Sequence, residues 1–372
     1  MYTIELNNMR KDSDALVNNK LNEKSPIVEI FSAAANGESL DKFGGKADVA
    51  MNKIKELSQR AMAGDYSAKA EMNTIVRFAI EPKLIQAIQL FSFMGTFRQI
   101  GYNEQPMMTS YKHESIRSGF QANSGDVPFA TTTWEEYPIS TQTISAGYAV
   151  NYREVASGNL DRVAEGMSQV QTDMMNKAMH YVVKSMYDAI KDAQGVKYFA
   201  EASGIAKSAV DDVLKKVRRF GGSPAIVGDY SVISQLNAFA GFKSDPADST
   251  ANKLSEMVME EIRRTGLLNS YNGSNVVELP NQYNLTKLNA AGDNFKTYLP
   301  EGLMFFLPRG AVSALQVFQR GGLTSATGID IVSGGTEITR YDLEIGSGVA
   351  KNMTHTIGML SDTDFEAPSL NF

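Results

Sequence analysis

The sequence predicts an α+β protein, with helices and strands gathered in separate stretches. Two observations predict this. Apolar residues recur every three or four positions from Leu160 to Ile190, the period of a long amphipathic helix. Immediately before them, Ile144, Ala146, Tyr148, Val150 and Tyr152 alternate strictly, the period of a half-buried strand. Composition sets the frame: of 372 residues, 43% are hydrophobic and 21% charged, which fits an ordered chain long enough for more than one lobe.

Taken in order, Met1 to about Gly45 is polar and weakly patterned, rich in Asn7, Asn8, Asn18, Asn19 and Lys20, with one apolar patch at Ile27, Val28, Ile30 and Phe31. Such a stretch is expected to be a loose arm. Asp48–Ala63 reads as a helix on Met51, Ile54, Leu57 and Ala61, stopped by Gly64. Ala68–Ile80 reads as a second helix and Lys83–Met94 as a third, separated by Pro82. The apolar run Leu84–Phe97 is too short for a membrane span, which needs about 20 apolar residues. From Tyr102 to Tyr152 β-formers dominate, among them Thr131, Thr132, Thr133, Trp134, Tyr137 and Ile139. The expectation is a long two-stranded excursion with a polar tip, which cannot bury itself and needs a surface to lie on.

The long helix is expected over Gly158–Gln194. Val196–Pro300 then reads as a compact α/β unit. Its helices are Lys207–Phe220, Tyr230–Phe239 and Asn252–Arg264, and its strands Ala225–Val227 and Asn275–Leu279. From Gly302 the chain turns to strands: Leu303–Leu307, Ile329–Val332, Glu337–Ile345 and Thr354–Leu360.

Several chemistries are excluded or left without support. With no cysteine, no disulfide, thiolate metal site or cysteine nucleophile exists, and His113, His180 and His355 are too few for a multi-histidine centre. There is no phosphate-binding Gly-x-x-x-x-Gly-Lys, no Gly-x-Ser-x-Gly elbow and no His-Glu-x-x-His. Asp362, Asp364 and Glu366 alternate, but a hard cation needs six or more oxygens, and a solvated strand end is the simpler reading. His180 reads as a packed or surface histidine of the long helix. The basic run Lys215, Lys216, Arg218, Arg219 reads as the wet face of a helix, and Arg263–Arg264 after Glu260–Glu261 as a charge-paired face. A formal charge of -6 disfavours tight nucleic-acid binding. The first residues carry no secretory pattern, which gives a cytoplasmic product.

The order of parts is polar arm, β excursion, very long helix, α/β lobe and closing β segment. This order resembles the major capsid protein of tailed bacteriophages, the Hong Kong 97-like fold. The resemblance runs from about Ile75 to Phe372. It rests on the strand Ile144–Tyr152 feeding the helix Asn159–Ala193, on Ala225-Ile226-Val227-Gly228-Asp229 leading into a helix at Tyr230, and on Tyr271-Asn272-Gly273 with Val276-Val277-Glu278-Leu279-Pro280. The closing Tyr341-Asp342-Leu343-Glu344 and Met359-Leu360-Ser361-Asp362 complete it.

The resemblance implies an N-terminal arm over 1–74, extended over neighbours, and peripheral-domain helices over 75–101. An extended hairpin, the E-loop, would cover 102–145. The peripheral domain with its spine helix would cover 146–200 and the axial domain 201–300, with a closing β segment shared by both over 301–372. It further implies a non-enzymatic shell protein of the virion, assembled in the host cytoplasm. Many copies would form hexamers and pentamers around packaged double-stranded DNA held by weak contact. Portal, scaffold or decoration proteins are further partners, and no cofactor, metal or membrane is implied. Some relatives lose an N-terminal scaffolding segment, and a chain that starts at Met1 is expected to keep its own. Some relatives also join a lysine to an asparagine of the next subunit, and Lys112 is the single lysine in the excursion. Residues expected between subunits are Lys112, His113, Glu114, Arg117, Trp134, Glu135, Glu136, Arg218, Arg219, Arg263 and Arg264. An encapsulin-type nanocompartment shell is the alternative, and an enzyme with an acidic site at Asp362 and Asp364 a more distant one.

Overall fold

The computed structural model describes residues 25–35, 38–72, 74–75, 94–113, 120, 132–150, 160–194, 196–242, 256–289, 292–308, 314–330, 336–363 and 367–368. The chain is an α+β protein that divides into two compact units. One is built from Met1–Leu90, Gln142–Ala178 and Gln319–Ile345, the other from Phe91–Thr141, Met179–Phe318 and Gly346–Phe372.

The elements follow from local sequence. Helix α1 (Pro26–Ala35) opens on proline, whose fixed φ and missing N–H suit a first helical turn. Helix α2 (Gly45–Met62) buries Ala47, Ala50, Ile54, Leu57 and Ala61, a stripe at spacings of three and four. The two pack together in the first unit, where Ile27, Val28, Ile30 and Phe31 are also buried. Residues 66–72 and 74–75 are helical as well. Where a loose, extended arm is expected, the chain from Pro26 onward is therefore helical and packed. The apolar patch looks too small to fold because its partner, the alanine-rich face of α2, lies 20 residues further on. Residues 83–93 of the expected helix Lys83–Met94 and the arm's first 24 residues lie outside the described residues, and Met94 itself stands in a turn.

Strands β1 (Thr96–Ile100), β2 (Met107–His113), β3 (Thr132–Pro138) and β4 (Thr141–Val150) precede helix α3 (Leu160–Lys191). At 1.5 Å per residue the helix is about 48 Å long. Its apolar stripe includes Met174, Ala178, Val182, Met186 and Ile190, all fully buried. Its C-terminal half lies in the second unit, and there His180, 5% exposed, donates from Nδ1 to the carbonyl of Tyr298 at 2.8 Å.

The second unit holds a six-stranded sheet in the order β5-β14-β11-β6-β8-β7. Its strands are β5 (Tyr198–Ala202), β6 (Ala225–Gly228), β7 (Ser270–Tyr271), β8 (Ser274–Glu278), β11 (Leu303–Leu307) and β14 (Gly358–Asp362). The central strands β6 and β11 are buried throughout, as their unbroken apolar runs require. Helix α4 (Lys207–Gly221) covers β5, β11 and β14. It comes so close that a Cβ on Gly358 would lie 2.6 Å from Val213 Cγ1 and 2.7 Å from Val217 Cγ2. The short helices α5 (Tyr230–Ile233) and α6 (Gln235–Ala240) replace the single helix expected over Tyr230–Phe239. Asp229 caps the first, its Oδ1 accepting from Ser231 N at 2.8 Å while its Oδ2 accepts from Asn281 Nδ2 at 2.8 Å. Helix α7 (Glu256–Thr265) follows. Among the described residues, strands β9 (Tyr283–Leu288) and β10 (Phe295–Thr297) pair only with each other.

The longest strands, β12 (Leu315–Asp330) and β13 (Thr336–Val349), run through both units and belong to a second sheet, in the order β1-β12-β13-β4. Arg340 joins β13 to β4 through Nη2, which donates to Ser145 Oγ at 2.9 Å. The strand expected over Thr354–Leu360 begins late. Lys351–Thr356 is a 3-10 turn, and only Gly358 onward is β.

Candidate assembly interface

Strands β2 and β3 form an antiparallel ribbon in strict register, from Met107 opposite Pro138 to His113 opposite Thr132. Residues facing each other across the ribbon share a face. One face carries Met108 with Tyr137 and Ser110 with Glu135, and the other carries Thr109 with Glu136 and, two residues back along β3, Trp134.

The near end of the ribbon is fixed to its own unit. Met108 and Ser110 are buried. Tyr137 Oη donates to Met108 Sδ at 2.9 Å and accepts from Lys351 N at 3.0 Å. Ser110 Oγ accepts from Asn352 N at 3.3 Å. These two amides tie the start of the 3-10 turn to the ribbon's root. The free edge of β2 is closed by a side chain. Gln316 Nε2 donates to Thr109 O at 2.8 Å, and its Oε1 accepts from Thr109 N at 3.3 Å, as a further strand would. A Cβ on Gly348 would lie 2.7 Å from Met108 Cε and 2.8 Å from Ile139 Cδ1, so glycine makes room for the ribbon's root. Burial raises the Tyr137 phenol above its ordinary value, against the lowering effect of the Lys351 amide; the carboxylate of Glu135 adds to the rise.

Beyond this root the ribbon is bare. Thr133, Trp134, Glu135 and Glu136 are exposed, and Trp134, the chain's single tryptophan, is 63% accessible. Lys112 and His113 end β2 opposite Thr133 and Thr132, whereas Glu114 and Arg117 lie outside the described residues. The structure thus gathers Lys112, His113, Trp134, Glu135 and Glu136 on one ribbon.

The arginines stand elsewhere in the same unit, on α4 and α7. Arg218 is built into its own lobe. Its Nη1 donates to Asn272 O at 3.0 Å and its Nη2 to Ser223 Oγ at 3.3 Å. It fixes the β7–β8 turn, where Asn272 takes a φ of 47° and also donates from Nδ2 to Asp211 at 3.0 Å. Beside it Tyr271 donates to the same carboxylate at 2.9 Å, and burial, then Asp211, pushes its phenol far up. Arg219 is exposed at the end of α4, whose Lys216 pairs with Asp212 at 2.6 Å. Arg263 and Arg264 are exposed in the last turn of α7 and make no ion pair among the described residues. The charge-paired face expected there is absent because Glu261 accepts instead from Asn269 Nδ2.

Of the acidic trio, Asp362 accepts from Gly204 N at 3.1 Å, closing the loop after β5, and Asp364 and Glu366 lie outside the described residues. Among the described residues no cluster of His, Asp and Glu is placed to hold a metal ion, and no helix is long and apolar enough to cross a membrane. The root residues Met108, Ser110, Tyr137 and Gln316 escape sequence reading. Only the pair Gly346 and Gly348 hints that something presses on β13.

The sequence matches, over residues 5–361, the family described as "SPbeta prophage-derived putative capsid protein YonB". No curated protein matches it. Similar solved structures include the capsid of cyanophage P-SCSP1u, at 12% identity and a TM-score of 0.47, covering 73% of this chain and 88% of that one. The acid-stable capsid of Helicobacter pylori bacteriophage KHP30 matches at 11% identity and 0.45, covering 73% and 90%. A virus-like particle from Pyrococcus furiosus matches at 12% and 0.42, covering 76% and 97%. With nearly its whole length matched by that model, the chain belongs to the YonB family of prophage-derived capsid proteins.

Proposed function

We propose that this chain is the repeating subunit of a phage shell, a major capsid protein of Hong Kong 97-like fold that assembles into an icosahedral container for packaged double-stranded DNA. One observation carries the reading beyond family membership. The β2–β3 ribbon is anchored at its root by Tyr137, Ser110 and Gln316, yet presents Trp134 at 63% exposure with Glu135 and Glu136 beside it. A two-stranded ribbon is marginal alone, and a neighbouring copy supplies the missing surface.

In this reading the ribbon is the E-loop and α3 the spine of the peripheral domain. The lobe around the six-stranded sheet is the axial domain, and copies meet as hexamers and pentamers. Lys112, His113, Trp134, Glu135 and Glu136 touch the next subunit, and so do Arg219, Arg263 and Arg264. Arg218 serves its own lobe. The role is structural, without turnover. A formal charge of -6 supports only weak contact with packaged DNA. The shell assembles in the host cytoplasm, with a portal, scaffold or decoration protein as the further class of partner.

Size-exclusion chromatography with negative-stain microscopy tests this. Closed particles that protect DNA from nuclease in infected or induced cells are expected. A chain that stays monomeric at high concentration overturns the shell reading, and thin particles filled with protein instead of DNA overturn the genome container.

A further inference from the structure

The β9–β10 hairpin exposes four large apolar side chains. Among the described residues it joins no larger sheet, and Tyr283, Leu285, Leu288 and Phe295 are 51%, 73%, 58% and 41% exposed. Strand alternation places Tyr283, Leu285 and Lys287 on one face. Lys287 makes no ion pair among the described residues. Leu288 and Phe295 are paired across the hairpin and stand on the opposite face, so the face with Lys287 carries Tyr283 and Leu285, exposed apolar surface of the kind that marks a contact site.

Its complement lies on the same chain. Helix α7 exposes Met257 at 81%, with Glu256 beside it and Glu260 one turn on, and neither carboxylate has an ion-pair partner among the described residues. Leu285 and Met257 are both too exposed to be covering each other within one copy.

We infer that the hairpin of one copy docks on helix α7 of the next, with Leu285 against Met257 and Lys287 between Glu256 and Glu260. The match is apolar to apolar and cation to carboxylates. It also has a direction: α7 is acidic in its first turn and basic, through Arg263 and Arg264, in its last, so Lys287 is accepted at one end and repelled at the other. The two patches are different surfaces of one chain, so the contact is heterologous and repeats head to tail around a ring. The inference rests on the shell-subunit reading and names the surfaces by which its subunits meet.

Disulfide trapping tests it, because the chain has no cysteine of its own. Leu285→Cys and Met257→Cys chains are co-assembled and mildly oxidised. A covalent dimer is expected from the mixture and not from either variant alone, and a chain carrying both changes should give a ladder of linked copies. Adding Lys287→Glu should remove most of the linked product, and adding Glu256→Lys with Glu260→Lys to that chain should restore it. Particles that form without the link overturn this contact and leave the shell reading standing. Linkage of Leu285→Cys to itself, or within one chain, also overturns the contact. A wild-type chain that forms no particles overturns the shell reading and this contact with it.

Discussion

Tyr137 shows how much one side chain can organise. Its hydroxyl bridges Met108 Sδ and the Lys351 amide, while Lys351 Nζ lies 4.8 Å from its ring centroid. Tyr137→Phe keeps the ring and strands the amide, so a loss of about 1 kcal/mol is expected in chemical denaturation. Gly358 is a second case. Its backbone needs no special φ, but the two valines it faces are branched and stiff, so Gly358→Ala is expected to cost about 1–3 kcal/mol by overpacking.

The tyrosines also set an alkaline limit. Burial, as the leading cause, raises the phenols of Tyr137, Tyr181 and Tyr271. The unfolded chain loses these protons near about pH 10, while the folded chain holds them to higher pH. Their contribution is therefore complete below that pH and is lost as pH rises through the folded values. Melting temperature should fall more steeply between about pH 10 and 12 for the wild type than for Tyr271→Phe.

Among elements, the helix α3 and the strands β6 and β11 were legible because period and burial agree along each of them. Strand β12 was visible only at its end, since Gln316, Gln319 and Arg320 interrupt its apolar pattern. Two of these are explained by structure: Gln316 closes the edge of β2, and Arg320 pairs with Glu344 at 3.2 Å. Helix α2 is legible over Asp48–Ala63, but α1 and its packing against α2 are not, because neither helix has a full core of its own. Phe31, 3% exposed in that pair, provides the check. Phe31→Ala should cost about 3–5 kcal/mol, whereas the same change in a loose arm would cost almost nothing. The run Lys215, Lys216, Arg218, Arg219 is exposed on α4 as its pattern predicts, but no sequence pattern separates Arg218, locked to Asn272, from its neighbour Arg219.

At the scale of the whole molecule, the proposed shell role predicts that folding and assembly draw on different parts of the chain. Removing all of residues 102–145 would take away buried Met108, Ser110 and Ile144 and so would injure the monomer itself. Replacing only residues 112–133 with a two-residue Asn-Gly turn spares the root and shortens the bare ribbon. That variant should melt as the wild type does, within about 1 kcal/mol, and fail to make closed particles in the microscope. The ribbon as an element was legible from its β-forming composition. Its division into a fixed root and an exposed end was not, because the contacts that fix it come from Gln316 and Asn352, more than 200 residues away.

Trp134 has a practical corollary. A lone indole standing in water emits at long wavelength, and covering it shifts that emission to the blue. With no second tryptophan to confuse the signal, a blue shift of the unmodified protein's fluorescence on assembly is the expected sign that a neighbouring copy covers the ribbon.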